Sequence, residues 1–136
     1  MGMTVPGYEF PPAAGGFRAR CVNVVDGDTI DVCIDLGFGL SLKERVRLAG
    51  VNTPELHGSS VEEKALAQKA KQFTYENVRP VTDPDSWPLR LTTVKVNEKF
   101  GRYLANVYMT VADKELHLNA MLIAAGHAKP YDGGKR

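Results

Sequence analysis

The sequence predicts a mainly β protein with helices: a five-stranded barrel with one helix between the third and fourth strands and a second helix after the fifth. Two observations lead to this fold class. Five segments alternate apolar and polar residues with the period of a half-buried strand, and the segment between the third and fourth has the period of an amphipathic helix. Tight turns join the first two and the last two strands, which suits a small antiparallel barrel better than a parallel sheet.

The first two strands cover residues 17–25 and 29–36, and the turn Asp26-Gly27-Asp28 between them is a strong hairpin signal. A hairpin centred on Gly27 gives the barrel an apolar inner face made of two facing pairs: Val22 with Val32, and Val24 with Ile30.

The same pairing places Cys21 opposite Cys33 on the outer face. Paired-looking cysteines in a chain without a secretory signal usually stay reduced, so two free thiols are the main expectation and a disulfide is the alternative.

A third strand is predicted over about residues 44–51, after a glycine-bearing connection "GFGLSL". Val46, Leu48 and Gly50 share its inner face, which places Arg45 and Arg47 on the opposite face.

The long helix begins with a capping box formed by Ser60 and Glu63, and Pro80 closes it. Its predicted buried stripe contains Leu66, Ala70, Phe73 and Asn77.

The fourth and fifth strands are predicted at residues 89–97 and 102–111, joined by a turn at "EKFG". Within the fourth strand the apolar residues change from odd to even positions, from Leu89 and Leu91 to Val94 and Val96. We therefore expect a β-bulge at Thr92 or Thr93. Residues 113–126 are predicted as a short helix that ends at the glycine C-cap. This order of elements indicates an oligonucleotide/oligosaccharide-binding (OB) barrel.

Composition bounds the function only loosely. The chain is 43% hydrophobic and 24% charged, and its apolar runs fall well short of the roughly 20 residues that span a bilayer, so no membrane association is expected. Net charge is only +1, so any contact with nucleic acid must come from locally clustered Lys and Arg. Nothing in the sequence indicates an obligate protein partner.

We expect three parts: a flexible N-terminal arm at residues 1–15, a barrel domain at residues 16–131 and a C-terminal tail at residues 132–136. The N-terminus has neither a basic start nor an apolar core, so it does not have the pattern of a secretory signal. A cytoplasmic location is the default expectation, and secretion is the alternative if the chain is a mature form.

Polar residues with useful chemistry fall where the predicted strands begin or end. Oxygen ligands without His or Cys favour a hard cation such as Ca²⁺ or Mg²⁺. Two arginines suit a charged phosphorus centre, and a spare glutamate can activate water. Each residue alone has an ordinary structural explanation, but together they indicate metal-assisted phosphodiester hydrolysis: Asp26, Asp28, Arg47, Asn52, Thr53, Glu55 and Arg102.

Four blocks of the chain, "VVDGDTIDV", "VRLAGVNTPE", "KFGRYLANVY" and "LNAMLIAAGHAKPY", resemble the staphylococcal nuclease (thermonuclease) family in order and nearly in spacing. The resemblance extends from about Phe17 to Tyr131. It implies an OB-type barrel and a calcium-dependent endonuclease that acts on DNA and RNA and leaves 3′-phosphate ends.

The resemblance also implies roles for single residues. Asp28 matches the family's calcium aspartate, and Thr53 matches the residue whose backbone carbonyl binds the same ion. Arg47 and Arg102 match the two phosphate-binding arginines, and Glu55 matches the glutamate proposed as general base.

Four further positions complete the expected site. Lys99 and Tyr131 lie near family residues that contact substrate, and Asp26 is expected to support the metal ligands from behind. Asn52 stands where the best-known member has a second calcium aspartate, so it offers a carbonyl oxygen but no charge. The sequence therefore predicts weaker Ca²⁺ binding or another divalent cation.

Three functions remain open from sequence: a metal-dependent nuclease, a non-catalytic OB module that binds nucleic acid, and a barrel that binds a protein. The charged residues of the site favour the first, Asn52 weakly favours the second, and no residue favours the third.

Overall fold

The computed structural model describes residues 15–56, 60–97 and 102–131, without the side chains of residues 94–97 and 102. The N-terminal arm up to residue 14, the "EKFG" turn and the tail 132–136 lie outside these ranges. Along the chain the elements are β1 (Phe17–Asp26), β2 (Thr29–Gly37), β3 (Leu40–Leu48), β4 (Val51–Asn52), α1 (Val61–Val78), β5 (Leu89–Asn97), β6 (Arg102–Val111), β7 (Lys114–His117), α2 (Leu118–Ala124) and β8 (Lys129–Pro130).

Five strands form a closed barrel in the order β3-β2-β1-β5-β6, and a parallel pairing of β3 with β6 completes the circle. β7 extends the sheet beyond β6, and β4 pairs with β8 in a separate two-stranded ribbon. α1 lies between the third and fourth barrel strands in sequence, and α2 follows β7. The OB-type barrel predicted from the sequence is confirmed. Neither helix of the described ranges is long and apolar enough to span a membrane.

The core fills the barrel with side chains from alternate strand positions, and α2 covers one end of it. A fully buried Val, Leu or Ile stabilises the fold by roughly 1.5–3 kcal/mol relative to an exposed one. The deeply buried apolar residues are Ala19, Cys21, Val24, Ile30, Val32, Val46, Leu48, Val51, Leu91, Ala105, Val107, Leu118 and Leu122.

The register predicted for the first hairpin is correct only between two register shifts in β1, where Val24 pairs with Ile30. One shift, between Val24 and Asp26, changes the pairing at the tip, and the other, between Cys21 and Asn23, moves Cys21 opposite Val32. Each shift adds a residue to β1 that has no partner in β2, and a bulged residue of this kind leaves the inner face. Val22 is accordingly 38% exposed rather than buried.

Both cysteines are free and buried, and they are not opposite each other, because Cys33 pairs with Arg20. Burial raises the pKa of the Cys21 thiol to about 12. The two thiols therefore pack as small hydrophobic groups, and the prediction of two free thiols is confirmed.

The third strand begins earlier than predicted, at Leu40, so the expected connection shortens to the turn Gly37-Phe38-Gly39. All three turn residues have positive φ, and Phe38 is fully exposed at its tip. The strand also ends earlier, because Gly50 has φ 75° and bends the chain between β3 and β4 instead of continuing the inner face.

The predicted N-terminus of α1 is confirmed, since the Ser60 hydroxyl accepts a hydrogen bond from the Glu63 backbone N–H at 2.9 Å. The predicted buried stripe is only partly correct, because Leu66 is 54% exposed. The face turned to the barrel consists of smaller residues that permit close approach: Ala67, Ala70, Thr74 and Val78.

The fourth and fifth strands are confirmed as β5 and β6, with the bulge between Thr93 and Lys95, just after the predicted position. The helix predicted over residues 113–126 is wrong in its first part, which forms β7. Ala112 and Asp113 both have positive φ, as a two-residue turn between twisted antiparallel strands requires.

The buried side chain of Asn119 joins α2 to the barrel where β3 and β6 meet. Its Nδ2 donates to the carbonyls of Ala49 at 2.8 Å and Ala105 at 3.0 Å, and its Oδ1 accepts from the Val107 N–H at 3.0 Å. The Ala49 N–H also donates to the Ala105 carbonyl at 2.8 Å. One amide therefore satisfies backbone groups of two chain segments.

We predict that Asn119→Ala lowers the free energy of unfolding by roughly 2–4 kcal/mol, because buried backbone groups lose their partner. Asn23→Ala is the control: Asn23 is exposed and donates to Asp31 at 3.2 Å, so its loss should cost less than about 0.5 kcal/mol. Urea unfolding followed by circular dichroism gives both values. Equal losses in the two variants would show that Asn119 does not stabilise the closure.

Candidate functional site

The candidate site forms at the end of the barrel where β2 begins and β3 ends. Asp28 lies directly before β2, and Thr29, the first residue of β2, pairs with Arg47 on β3. The Leu48 N–H donates to the Asp28 carbonyl at 2.8 Å. The hairpin turn and the strand register thus bring Asp28 beside Arg47, although they are 19 positions apart.

The Asp28 carboxylate is buried and hydrogen-bonded through both oxygens. Oδ2 accepts from the Thr53 backbone N–H at 3.2 Å, and Oδ1 accepts from the Thr29 hydroxyl at 3.1 Å. A carboxylate at 6% exposure is costly unless its oxygens are satisfied, and these bonds satisfy it in part. Asp28 therefore ties the start of β2 to the segment after β4.

The guanidinium of Arg47 lies among three groups. Its Nη2 donates to Asn52 Oδ1 at 3.1 Å and is 3.6 Å from Asp28 Oδ2, an ion pair too long for a hydrogen bond. Its Cζ lies 5.4 Å from the centroid of the Tyr131 ring. The side chains of Arg47 and Asp28 are 15% and 9% exposed, so water screens their attraction weakly.

Arg45, two residues earlier on the same face of β3, is engaged elsewhere. It forms a two-pronged ion pair with Asp31 at 2.8 and 3.2 Å. Hydrogen bonding from Arg45 holds the pKa of the Asp31 carboxyl below its ordinary value. The structure thus separates two arginines that the sequence placed on one face of the strand, of which only Arg47 was predicted to belong to the site.

The β4–β8 ribbon brings the end of the described chain to the site. Val51 pairs with Pro130, Asn52 pairs with Lys129, and the Tyr131 N–H donates to the Gly50 carbonyl at 2.9 Å. Sequence reasoning missed this ribbon, because two-residue strands are too short to show a period.

Besides Thr29, two more buried threonines lie at the site, and only one of these two has a partner for its hydroxyl. The Thr74 hydroxyl on α1 donates to the Gly27 carbonyl at 2.7 Å. The Thr53 hydroxyl is buried without a hydrogen-bond partner among the described residues. A Cβ on Gly27 would lie 2.8 Å from Ala70 Cβ and 3.1 Å from Thr53 Cγ2, so only glycine fits this turn. Sequence reasoning did not identify Thr74, since one threonine in a helix carries no pattern.

The remaining predicted residues lie around this centre or outside the described part of the chain. Glu55 follows Thr53 by two positions and is exposed. Asp26 is half-buried and pairs with Thr29. Arg102 begins β6, which runs beside β3, but its side chain is not described. Lys99 lies outside the described residues.

The oxygen atoms at the site suit a hard cation that is bound with a single carboxylate. The oxygens available are the Asp28 carboxylate, the Asn52 amide oxygen, the Thr53 carbonyl and the unpartnered Thr53 hydroxyl. Within the described ranges no three His, Cys, Asp or Glu residues come together at one point, so Asp28 is the carboxylate of this set. One carboxylate with neutral oxygens therefore fits Ca²⁺ or Mg²⁺ better than a transition metal.

Comparisons with known proteins find a family model and two relatives that the chain matches. A family model described as staphylococcal nuclease homologue matches residues 45–135, about two thirds of the chain. The chain is 29% identical over 125 residues to the micrococcal nuclease of Shigella flexneri. This alignment covers 88% of this chain and 62% of that protein. It is 27% identical over 136 residues to an uncharacterized protein of Methanocaldococcus jannaschii. That alignment covers 85% of this chain and 59% of that protein.

The chain thus spans about three fifths of the length of these relatives. The family match includes Arg47, Asn52, Thr53 and Glu55 but begins after Asp28, which the hairpin and the strand register bring to the same place.

We predict that Thr53→Val leaves the free energy of unfolding unchanged or raises it by up to about 1 kcal/mol, because it removes a buried hydroxyl that has no partner. Thr74→Val, an identical change at a bonded hydroxyl, should lower it by about 1–3 kcal/mol. Urea unfolding without added metal distinguishes the two. A loss at Thr53 as large as that at Thr74 would mean that the Thr53 hydroxyl is bonded in solution.

Proposed function

We propose a nuclease activity for this chain, which belongs to the staphylococcal nuclease homologue family. In this proposal the chain hydrolyses phosphodiester bonds in DNA and RNA, depends on a divalent cation and leaves 3′-phosphate ends. The observation that carries it is the meeting of Asp28, Arg47, Asn52 and Thr53 at one end of the barrel.

Arg47 and Arg102 would bind the reacting phosphate. A planar guanidinium forms paired hydrogen bonds with phosphate oxygens and meets the charge that builds up on them in the transition state. Arg47 suits this role because a nearly buried charge is screened little by water. Arg102 begins the strand that pairs with β3, so its backbone lies on the neighbouring strand of the barrel.

Asp28, Asn52 and Thr53 would hold the cation, and Asp26 would support them from behind. A bound Ca²⁺ would add positive charge beside the phosphate and favour its attack by water. The unpartnered Thr53 hydroxyl supports a hydrated cation at this place, because a coordinated water could satisfy it.

Glu55 would accept a proton from the attacking water. The water oxygen bonds to phosphorus as the bond from phosphorus to the 5′ oxygen breaks, and the leaving 5′ oxygen takes a proton from solvent water; Glu55 later returns its proton to solvent. Glu55 is exposed at the rim, so the attacking water can reach its carboxylate. Lys99 would contact the rest of the nucleic acid. Tyr131, for which the sequence predicted the same role, lies beside Arg47.

The central test is a cleavage assay on single-stranded DNA, duplex DNA and RNA, with and without Ca²⁺. Arg47→Ala and Arg102→Ala should each slow cleavage by about 10²–10³-fold, because each removes charge stabilisation of the transition state. Glu55→Gln should slow it by about 10²–10⁴-fold. Gel electrophoresis of end-labelled substrates measures the rates and identifies the product ends.

Arg45→Ala is the matched control, because Arg45 shares the face of β3 but pairs with Asp31. It should cleave at the wild-type rate. Cleavage that survives all three site substitutions would refute the residue assignment. Binding of nucleic acid without cleavage under any divalent cation would favour the non-catalytic OB module instead.

Asn52→Asp should tighten Ca²⁺ binding by about tenfold, because it restores a charged oxygen ligand. Isothermal titration calorimetry with Ca²⁺ alone measures this affinity, and Asn23→Asp, an equal charge change at an exposed position of β1, corrects for the general effect of charge. Unchanged or weaker affinity in Asn52→Asp would show that Asn52 does not contact the ion.

A further inference from the structure

We infer that Tyr131 is a positioning residue for Arg47: its ring fixes the guanidinium in the orientation that binds phosphate. The inference deepens the proposed function and rests on it for its catalytic consequence. It assigns Tyr131 a role toward a side chain of this protein, in place of the direct substrate contact expected from the sequence.

The backbone of Tyr131 is fixed relative to Arg47 by two adjacent contacts of the β4–β8 ribbon. Its N–H donates to the Gly50 carbonyl at 2.9 Å, and the preceding residue, Pro130, pairs with Val51. Gly50 itself follows β3 closely, and Arg47 lies on that strand. The ring and the arginine therefore belong to one connected unit of backbone.

The same ribbon delivers a second contact to Arg47. Asn52 belongs to β4, pairs with Lys129, and accepts a hydrogen bond from Arg47 Nη2 at 3.1 Å. The Tyr131 ring lies 5.4 Å from Arg47 Cζ, within the distance at which a cation and an aromatic ring attract each other. The Asn52 amide and the Tyr131 ring therefore both contact the guanidinium of Arg47.

Arg47 needs such support because of Asp28. The carboxylate is 3.6 Å from Nη2, and in a site that water screens weakly it attracts the guanidinium toward itself. A closer ion pair would direct the arginine's donors to Asp28 and away from phosphate. Asn52 and Tyr131 oppose this shift, and Asp28 stays available as an oxygen ligand.

The first test separates positioning from substrate contact by kinetics. Tyr131→Leu should lower kcat by about tenfold with little change in KM, since a misplaced arginine weakens transition-state binding more than substrate binding. Tyr131→Phe keeps the ring and should lose much less. Tyr75→Leu, which removes an exposed tyrosine from α1, controls for a general effect on the fold.

Coupling to Arg47 makes this test specific. In an Arg47→Lys background, Tyr131→Leu should produce little further loss of kcat, because the guanidinium it positions is already gone. A rise in KM with unchanged kcat, or the same tenfold loss in the Arg47→Lys background, would overturn the inference and favour contact of Tyr131 with the nucleic acid.

The second test needs no substrate and no cleavage. An aromatic ring shifts the NMR resonances of a guanidinium beside it, so the Arg47 Nε–H signal should move in Tyr131→Leu and stay near its wild-type position in Tyr131→Phe. The Arg45 signal serves as the internal reference and should not move. An unmoved Arg47 signal in Tyr131→Leu would refute the contact, whereas a moved signal in a protein that cleaves nothing would count against the nuclease proposal alone.

Discussion

A buried amide reinforces the β3–β6 pairing that closes the barrel, and residues of the candidate site lie on either side of it in sequence. Asn119 bonds to the carbonyls of Ala49 and Ala105 and to the Val107 N–H. Arg47 comes two residues before Ala49, and Asn52 comes three residues after it. The amide therefore fixes the corner from which both side chains project, and a hydrophobic residue at position 119 would leave buried backbone groups unpaired.

Charge balance explains why this site can be nearly buried. Asp28 is the one carboxylate at its centre among the described residues, and Arg47 lies close enough to offset it. Asn52 contributes an oxygen without adding charge, and it is bonded to the same arginine. Removing Arg47 would leave a buried carboxylate uncompensated, so the arginine contributes to the fold as well as to the proposed chemistry.

Sequence patterns predicted the barrel well, because periodicity, the hairpin turn at Gly27 and the capping box at Ser60 are local signals. The errors arise where tertiary structure overrides such signals. The bulges of β1 place Cys21 and Cys33 out of register with each other. They could not be predicted, because an alternating sequence does not show where an extra residue will be inserted. Leu66 points to solvent because small side chains bring α1 close to Gly27.

The central residues of the candidate site were predictable from the sequence, but the contacts that hold them in place were not. The meeting of Asp28, Arg47, Asn52 and Thr53 follows from strand ends that were visible in the sequence, together with the family resemblance. The contacts that organise them do not. Asn119, Thr74 and Tyr131 reach the site from distant elements, and such contacts depend on how helices and ribbons pack rather than on local pattern.

The β4–β8 ribbon also sets the order in which the protein can be completed. Arg47 and Asn52 are synthesised well before Asn119 and Tyr131, and synthesis proceeds more slowly than local strands and helices form. The Asn119 amide reaches its place only after residue 119 has left the ribosome, and the ring beside Arg47 only after residue 131 has. A nascent chain thus carries the arginine long before it carries the surroundings that orient it.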